Sequence, residues 1–176
     1  MSIPGTAVMG AVSHGAGRLP LCYDRRMTRV AIGADDRTPL TDALLVELER
    51  RGFETVAYGP MAGRDEPWAE IGERVAQDVV SGQADAGIAC CHTGTGVSIA
   101  ANKVPGTRAA LCRDAETARG ARAWNDANVL CLSLASTGVD ELRGILDAWF
   151  DDILVDEEER LSLDRLAEMD AARTGA

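Results

Sequence analysis

Histidine is nearly absent from this chain: 176 residues include two, and the five cysteines, Cys22, Cys90, Cys91, Cys112 and Cys131, never stand in a CxxC pair. This scarcity argues against a zinc site and a disulfide scaffold, and so for a reducing, cytoplasmic setting with no metal. Basic residues are short as well: 18 Lys and Arg, in no continuous run, face 28 acidic residues for a net charge of -10. An acidic surface repels phosphate backbones and anionic headgroups, which argues against nucleic acid and membrane partners. No stretch is apolar enough to span a bilayer, no basic start leads into the apolar centre of a signal peptide, and no GxGxxG opens the first crossover of a dinucleotide fold. What is present, 46% hydrophobic and 26% charged residues, is the composition of a single globular domain with a real core.

The first 26 residues are rich in Gly, Ala and Pro, show no period and stop where Met27-Thr28-Arg29 opens a strand. Residues 1–26 are therefore expected to be a disordered tail, with Met27 as an alternative start of translation. From there strand and helix alternate. Val30 to Ala34 is an apolar run, Leu40 to Arg51 places Leu44, Leu45 and Leu48 on one helical face, and Gly52 stops that helix. A strand over Glu54 to Tyr58, a helix from about Glu66 to Ser81 and a buried strand ending at Cys91 follow. Arg108 to Cys112 and Asn128 to Leu132 read as strands, Ala115 to Trp124 and Val139 to Phe150 as helices. This repeat predicts an α/β class fold: a three-layer α/β/α, Rossmann-like sandwich on a five-stranded parallel sheet, with order 2-1-3-4-5. Ligands in such folds bind at the carboxyl ends of the strands, the edge where Asp35, Asp36 and Cys91 fall.

The segment from Cys91 to Lys103 sits where an apolar strand meets a helix and gathers a thiol, hydroxyls and two glycines. Gly94 and Gly96 allow positive φ and let backbone N–H groups turn toward a bound oxygen. The helix N-terminus favours anions and thiolate character at the strand end. Cys90, Cys112 and Cys131 read as small buried hydrophobes. Asn125 and Asn128 suit a helix-to-strand loop as backbone partners, Trp124 suits a subunit interface, and Asp35 and Asp36 suit helix N-terminal charges.

Three stretches carry a resemblance: Val30-Ala31-Ile32-Gly33-Ala34-Asp35; Gly87-Ile88 with Cys91-x-Thr93-Gly94-x-Gly96-x-Ser98-Ile99-Ala100-Ala101-Asn102-Lys103-Val104-Pro105-Gly106-x-Arg108-Ala109; and Asn125-x-x-Asn128-Val129-Leu130. From about Met27 to about Phe150 the chain resembles the type B ribose-5-phosphate isomerase and galactose-6-phosphate isomerase family. The resemblance implies an aldose–ketose isomerase that needs no metal or organic cofactor. It implies that Cys91 removes the proton next to the carbonyl to give a cis-enediolate, that amides of the Gly94 to Gly96 turn hold the oxyanion, that Thr93 moves protons at the sugar oxygens and that Asp35 orients hydroxyls. Asp36, Thr95, Ser98, Trp124 and Asn125 complete the expected substrate-binding set. Family sites are shared between subunits, which implies a homodimer or homotetramer. The domain reading is then an isomerase domain over 27–152, followed by an acidic linker and C-terminal helix over 153–176 whose Leu161, Leu163 and Leu166 suit docking on a neighbouring subunit.

The chain also departs from the family pattern. Members that open a furanose ring carry a histidine where Trp124 stands, a second histidine where Asp36 stands, and an arginine near Ala135. The phosphate-binding arginines beyond the last sheet helix are reduced to Arg160 and Arg165, amid five carboxylates between Asp156 and Asp164. An indole shuttles no proton and carboxylates repel phosphate. His92, in turn, replaces a family glycine beside the proposed base. Its imidazole suits acid/base work or carbonyl polarisation near neutral pH, and a solvated loop residue is the alternative. The sequence thus supports an isomerase of a small sugar or sugar phosphate of the ribose-5-phosphate type. The alternatives are an open-chain or unphosphorylated substrate, or a catalytically silent sugar-binding relative.

Overall fold

A computed structural model describes residues 29–175; the expected tail over 1–26 and the alternative start at Met27 lie outside the described residues. Five parallel strands, β1 (Arg29–Ala34), β2 (Glu54–Tyr58), β3 (Ala86–Cys91), β4 (Ala109–Leu111) and β5 (Val129–Ser133), form one sheet. Helices α1 (Pro39–Arg50), α2 (Trp68–Val80), α3 (Thr95–Ala101), α4 (Ala115–Asn125) and α5 (Val139–Trp149) connect or follow them, and α6 (Arg160–Thr174) ends the described chain. None is long and apolar enough to cross a membrane.

Alternation of side chains along the strands divides the core in two. Val30, Ile32, Ile88, Cys90, Leu130 and Leu132 pack on one face against α1, α4 and α5, with Leu44, Leu48, Ala118, Leu142, Ile145, Leu146 and Trp149 fully buried. Ala31, Ala89, Cys91, Val129 and Cys131 face Val75, Ala76, Val97 and Ala101 of α2 and α3 on the other. This is the expected three-layer sandwich.

The expected strand order is corrected: the sheet runs β2-β1-β3-β5-β4. β5 pairs with β3 in register Gly87↔Val129 to Cys91↔Ser133, and β4 pairs only with β5. The reason is burial. Val129, Leu130, Cys131 and Leu132 expose nothing on either face, whereas β4 is three residues long and leaves Leu111 44% exposed. The strand apolar on both faces takes the interior, and the short one takes the edge.

Two motif asparagines build this edge. Asn102 donates to Ala109 O (2.9 Å) and accepts from Ala109 N (3.0 Å), so its amide serves β4 as a neighbouring strand would. Buried Asn128 accepts from Arg108 N (2.8 Å) and donates to Gly106 O (2.9 Å). α6 has no buried residue and is held by Asp170 accepting from Gly106 N (2.7 Å) and by Arg173 donating to Lys103 O. Leu161 stands 84% exposed on it.

Candidate active site

The carboxyl edge of the sheet brings Asp35, Asp36, Cys91, His92, Thr93 and the glycine turn together. Asp35 follows β1, and its N–H bonds Cys90 O on the neighbouring strand (3.3 Å). Its carboxylate accepts the backbone N–H of His92, while its Oδ1 is buried with no hydrogen-bond partner in the described chain. Loss of water around this group outweighs the amides and the His92 charge that favour its anion, so the Asp35 carboxyl is pushed above the ordinary carboxylate range. Asp36 is exposed and accepts from Arg37 N (2.7 Å).

Cys91 ends β3 with 5% of its surface exposed. Its carbonyl accepts from Gly94 N (3.1 Å) and Leu134 N (3.0 Å), and the His92 carbonyl accepts from Ala135 N (3.0 Å) and Ser133 Oγ (3.0 Å). The turn after β3 is thereby tied to the chain leaving β5. Gly94 has φ 73°, and a Cβ there would run into the Leu111 side chain and lie 2.9 Å from the Leu132 carbonyl. Only glycine fits this place. The turn exposes His92, Thr93 and Thr95; Thr93 Oγ1 accepts from Thr95 N (3.4 Å). Because Gly94 N–H is used inside the turn, the amides left for an oxyanion are those of the first helical turn, where Gly96 N–H has no partner among the described residues. The Ser98 hydroxyl hydrogen-bonds the buried Cys131 thiol, which engages it with the core.

Burial pushes the other thiols up, Cys90 and Cys112 to about 12 and Cys131 well above its usual value. All three are free and buried, as their reading as small hydrophobes requires.

Trp124 and Asn125 do not reach this edge within one chain. They end α4, which starts beyond the carboxyl end of β4 and runs back to the amino end of β5. Trp124 is 54% exposed and folds over Gly120 of its own helix. Asn125 lines a groove of about 480 Å³ with Asn102, Arg108, Leu166 and Arg173. Arg160 and Arg165 pair with Glu157 (2.8 Å) and Glu168 (2.7 Å).

A neighbour that the sequence did not disclose is Trp68. It opens α2, is 45% exposed, and its indole covers the glycine turn: a Cβ on Gly96 would lie 2.9 Å from Trp68 Cε3. No local pattern links residues so far apart in the chain. Pro67 before a helix start was the one available sign.

A sequence profile of the family described as Ribose/Galactose Isomerase matches residues 30–166. The chain is 35% identical over 124 residues to ribose-5-phosphate isomerase B of Escherichia coli, covering 70% of this chain and 83% of that one. It is 33% identical over 127 residues to D-erythrulose-4-phosphate isomerase of Pectobacterium atrosepticum, covering 71% and 84%. The solved structure of Clostridium thermocellum ribose-5-phosphate isomerase B superposes with a TM-score of 0.77 at 34% identity, covering 83% of this chain and 99% of that one.

Proposed function

The chain belongs to the ribose/galactose isomerase family, and on that premise we propose that it interconverts the aldose and ketose forms of a small sugar phosphate through a cis-enediolate, with Cys91 as the carbon base. The observation that carries this reading is the placement of Cys91, the pinned glycine turn and the Asp35 carboxylate on one sheet edge. Cys91 Sγ accepts the proton from the carbon next to the carbonyl, the electron pair moves to the carbonyl oxygen, and the free N–H of Gly96 faces the charge that develops there. Such a donor is worth ~3–4 kcal/mol in other oxyanion holes. Return of the proton to the neighbouring carbon completes a redox-neutral exchange. Thr93 and His92 carry the proton between the two sugar oxygens, and Asp35 orients the hydroxyls.

With tryptophan in place of a ring-opening histidine, an open-chain tetrulose phosphate fits this site better than a furanose. The similarity to the Pectobacterium protein, named for that substrate, supports this choice. The separation of Trp124 and Asn125 from Cys91 supports a homodimer or homotetramer in which a second chain supplies them. The four free buried thiols suit the cytoplasm.

The test is deuterium uptake in D₂O, followed by NMR, with tetruloses, pentoses and their phosphates. The parent is expected to label the carbon next to the carbonyl. Cys91→Ala should lower the rate by roughly 10²–10⁴-fold, the span of a positioned acid/base. His92→Gln should lower it less. A Cys91→Ala enzyme as fast as the parent overturns the mechanism, and a His92→Gln enzyme as fast as the parent returns His92 to a solvated loop residue.

A further inference from the structure

Helix α3 is weak by itself. It is seven residues long, starts on Gly94 without a side-chain cap, and carries a second glycine, Gly96, in its first turn. So short a helix, with glycine where it must nucleate, is ordered by what packs on it.

Helix α2 supplies that packing through two glycine contacts one turn apart. A Cβ on Gly72 would lie 2.8 Å from the Val97 carbonyl oxygen and 2.9 Å from Ala100 Cβ, so the α3 backbone rests directly on α2. A Cβ on Gly96 would lie 2.9 Å from Cε3 and 3.0 Å from Cδ2 of Trp68, so the indole lies on the first turn with no space between. Backbone N–H groups at a helix start point along the axis, while side chains leave its flank. The indole therefore covers the flank of the turn and leaves the Gly96 N–H open.

Trp68 is itself fixed in place. Ile71, in the same first turn of α2, is fully buried, and its N–H bonds Pro67 O (3.1 Å). Glu66 accepts from Gly59 N (3.2 Å) and pairs with Arg74, whose guanidinium lies 4.2 Å from the Tyr58 ring centroid. The Tyr58 hydroxyl in turn donates to Asp78 (2.6 Å). These contacts tie the start of α2 to the carboxyl end of β2.

We propose that Trp68 is a positioning residue: its indole holds Gly96, and with it the turn that follows Cys91, in the geometry the reaction uses. It touches the turn and not the substrate. This rests on the isomerase reading above and adds to it a residue that acts on the chemical step and not on binding.

Amide hydrogen exchange by NMR and steady-state kinetics test this together. The amides of Ile99 and Ala100 close the first turn of α3 on the Thr95 and Gly96 carbonyls. In Trp68→Ala both should exchange about 10-fold faster or more, as local opening of the turn requires. For the sugar that the parent labels, kcat should fall roughly 10- to 100-fold with KM within about twofold, because a misplaced donor is missed in the transition state. Trp68→Phe, which keeps a ring over Gly96, should fall between. Gly52→Ala, strained but before the amino end of β2, should lose stability and keep the parent kcat, which separates positioning from loss of stability. Gly96→Ala should lower kcat in the parent, where its Cβ meets the indole, and raise it in the Trp68→Ala background, where the Cβ fills the space and removes the freedom of glycine. The same effect of Gly96→Ala in both backgrounds, unchanged exchange in Trp68→Ala, or an unchanged kcat overturns the proposal. If the parent turns over no sugar while exchange is faster in Trp68→Ala and restored by Gly96→Ala, the indole stands as the support of the turn and the isomerase reading fails.

Discussion

The backbone N–H of His92 donates a hydrogen bond to the carboxylate of Asp35, joining the residues that leave the adjacent strands β3 and β1. That bond sets the acid against the turn that carries the proposed base, and it satisfies part of the carboxylate while Oδ1 stays buried and unpartnered. A buried carboxylate oxygen without a partner costs stability.

Replacing Asp35 by Asn should therefore stabilise the fold and lower activity. Burial raises the folded-state pKa of Asp35, so the folded protein binds this proton more tightly than the unfolded chain. The penalty is present above the raised pKa and fades as pH falls through it. At pH 7 the Asn variant is expected to melt at a higher temperature than the parent. The gap should narrow in acid. Melting curves from pH 4 to 8 check this, and a parent more stable than the variant at pH 7 contradicts it.

Gly94→Ala should be much worse than Gly52→Ala. Both glycines have positive φ, 73° and 79°, so both substitutions strain the backbone by about 1–2 kcal/mol. Only at Gly94 would the new Cβ meet Leu111 and the Leu132 carbonyl, for which a further ~1–3 kcal/mol is expected. Chemical denaturation of the two variants separates strain from clash. Equal losses would show that the turn after β3 can relax.

Thiol labelling should single out Cys91. In a Cys22→Ser background, which removes the cysteine outside the described residues, iodoacetamide should modify Cys91 first. Cys90, Cys112 and Cys131 should react at least about 100-fold more slowly until the protein unfolds, since burial keeps them protonated. A bound sugar phosphate should protect Cys91. Peptide mapping by mass spectrometry reads the order of modification, and Cys90 reacting before Cys91 would contradict the greater accessibility of Cys91 at the end of β3.

Much of the fold was legible because its signals are local. Apolar runs such as Ala86 to Cys91 mark buried strands, leucine spacing marks α1, and Gly52 marks its end. The start of α3 at Thr95 is not legible in the sequence, since two glycines disguise a first helical turn that the turn after β3 holds in place.

The sequence by itself determined the parallel α/β class and the contiguous Cys91 to Gly96 turn at the end of a buried strand, since each depends on neighbours along the chain. Tertiary structure alone decided that β5 displaces β4 from the interior, that Trp124 and Asn125 end at the opposite edge, and that Trp68 stands beside the glycine turn. These follow from which surfaces compete for burial and from a crossover helix reversing the chain, relations that no local pattern of residues encodes.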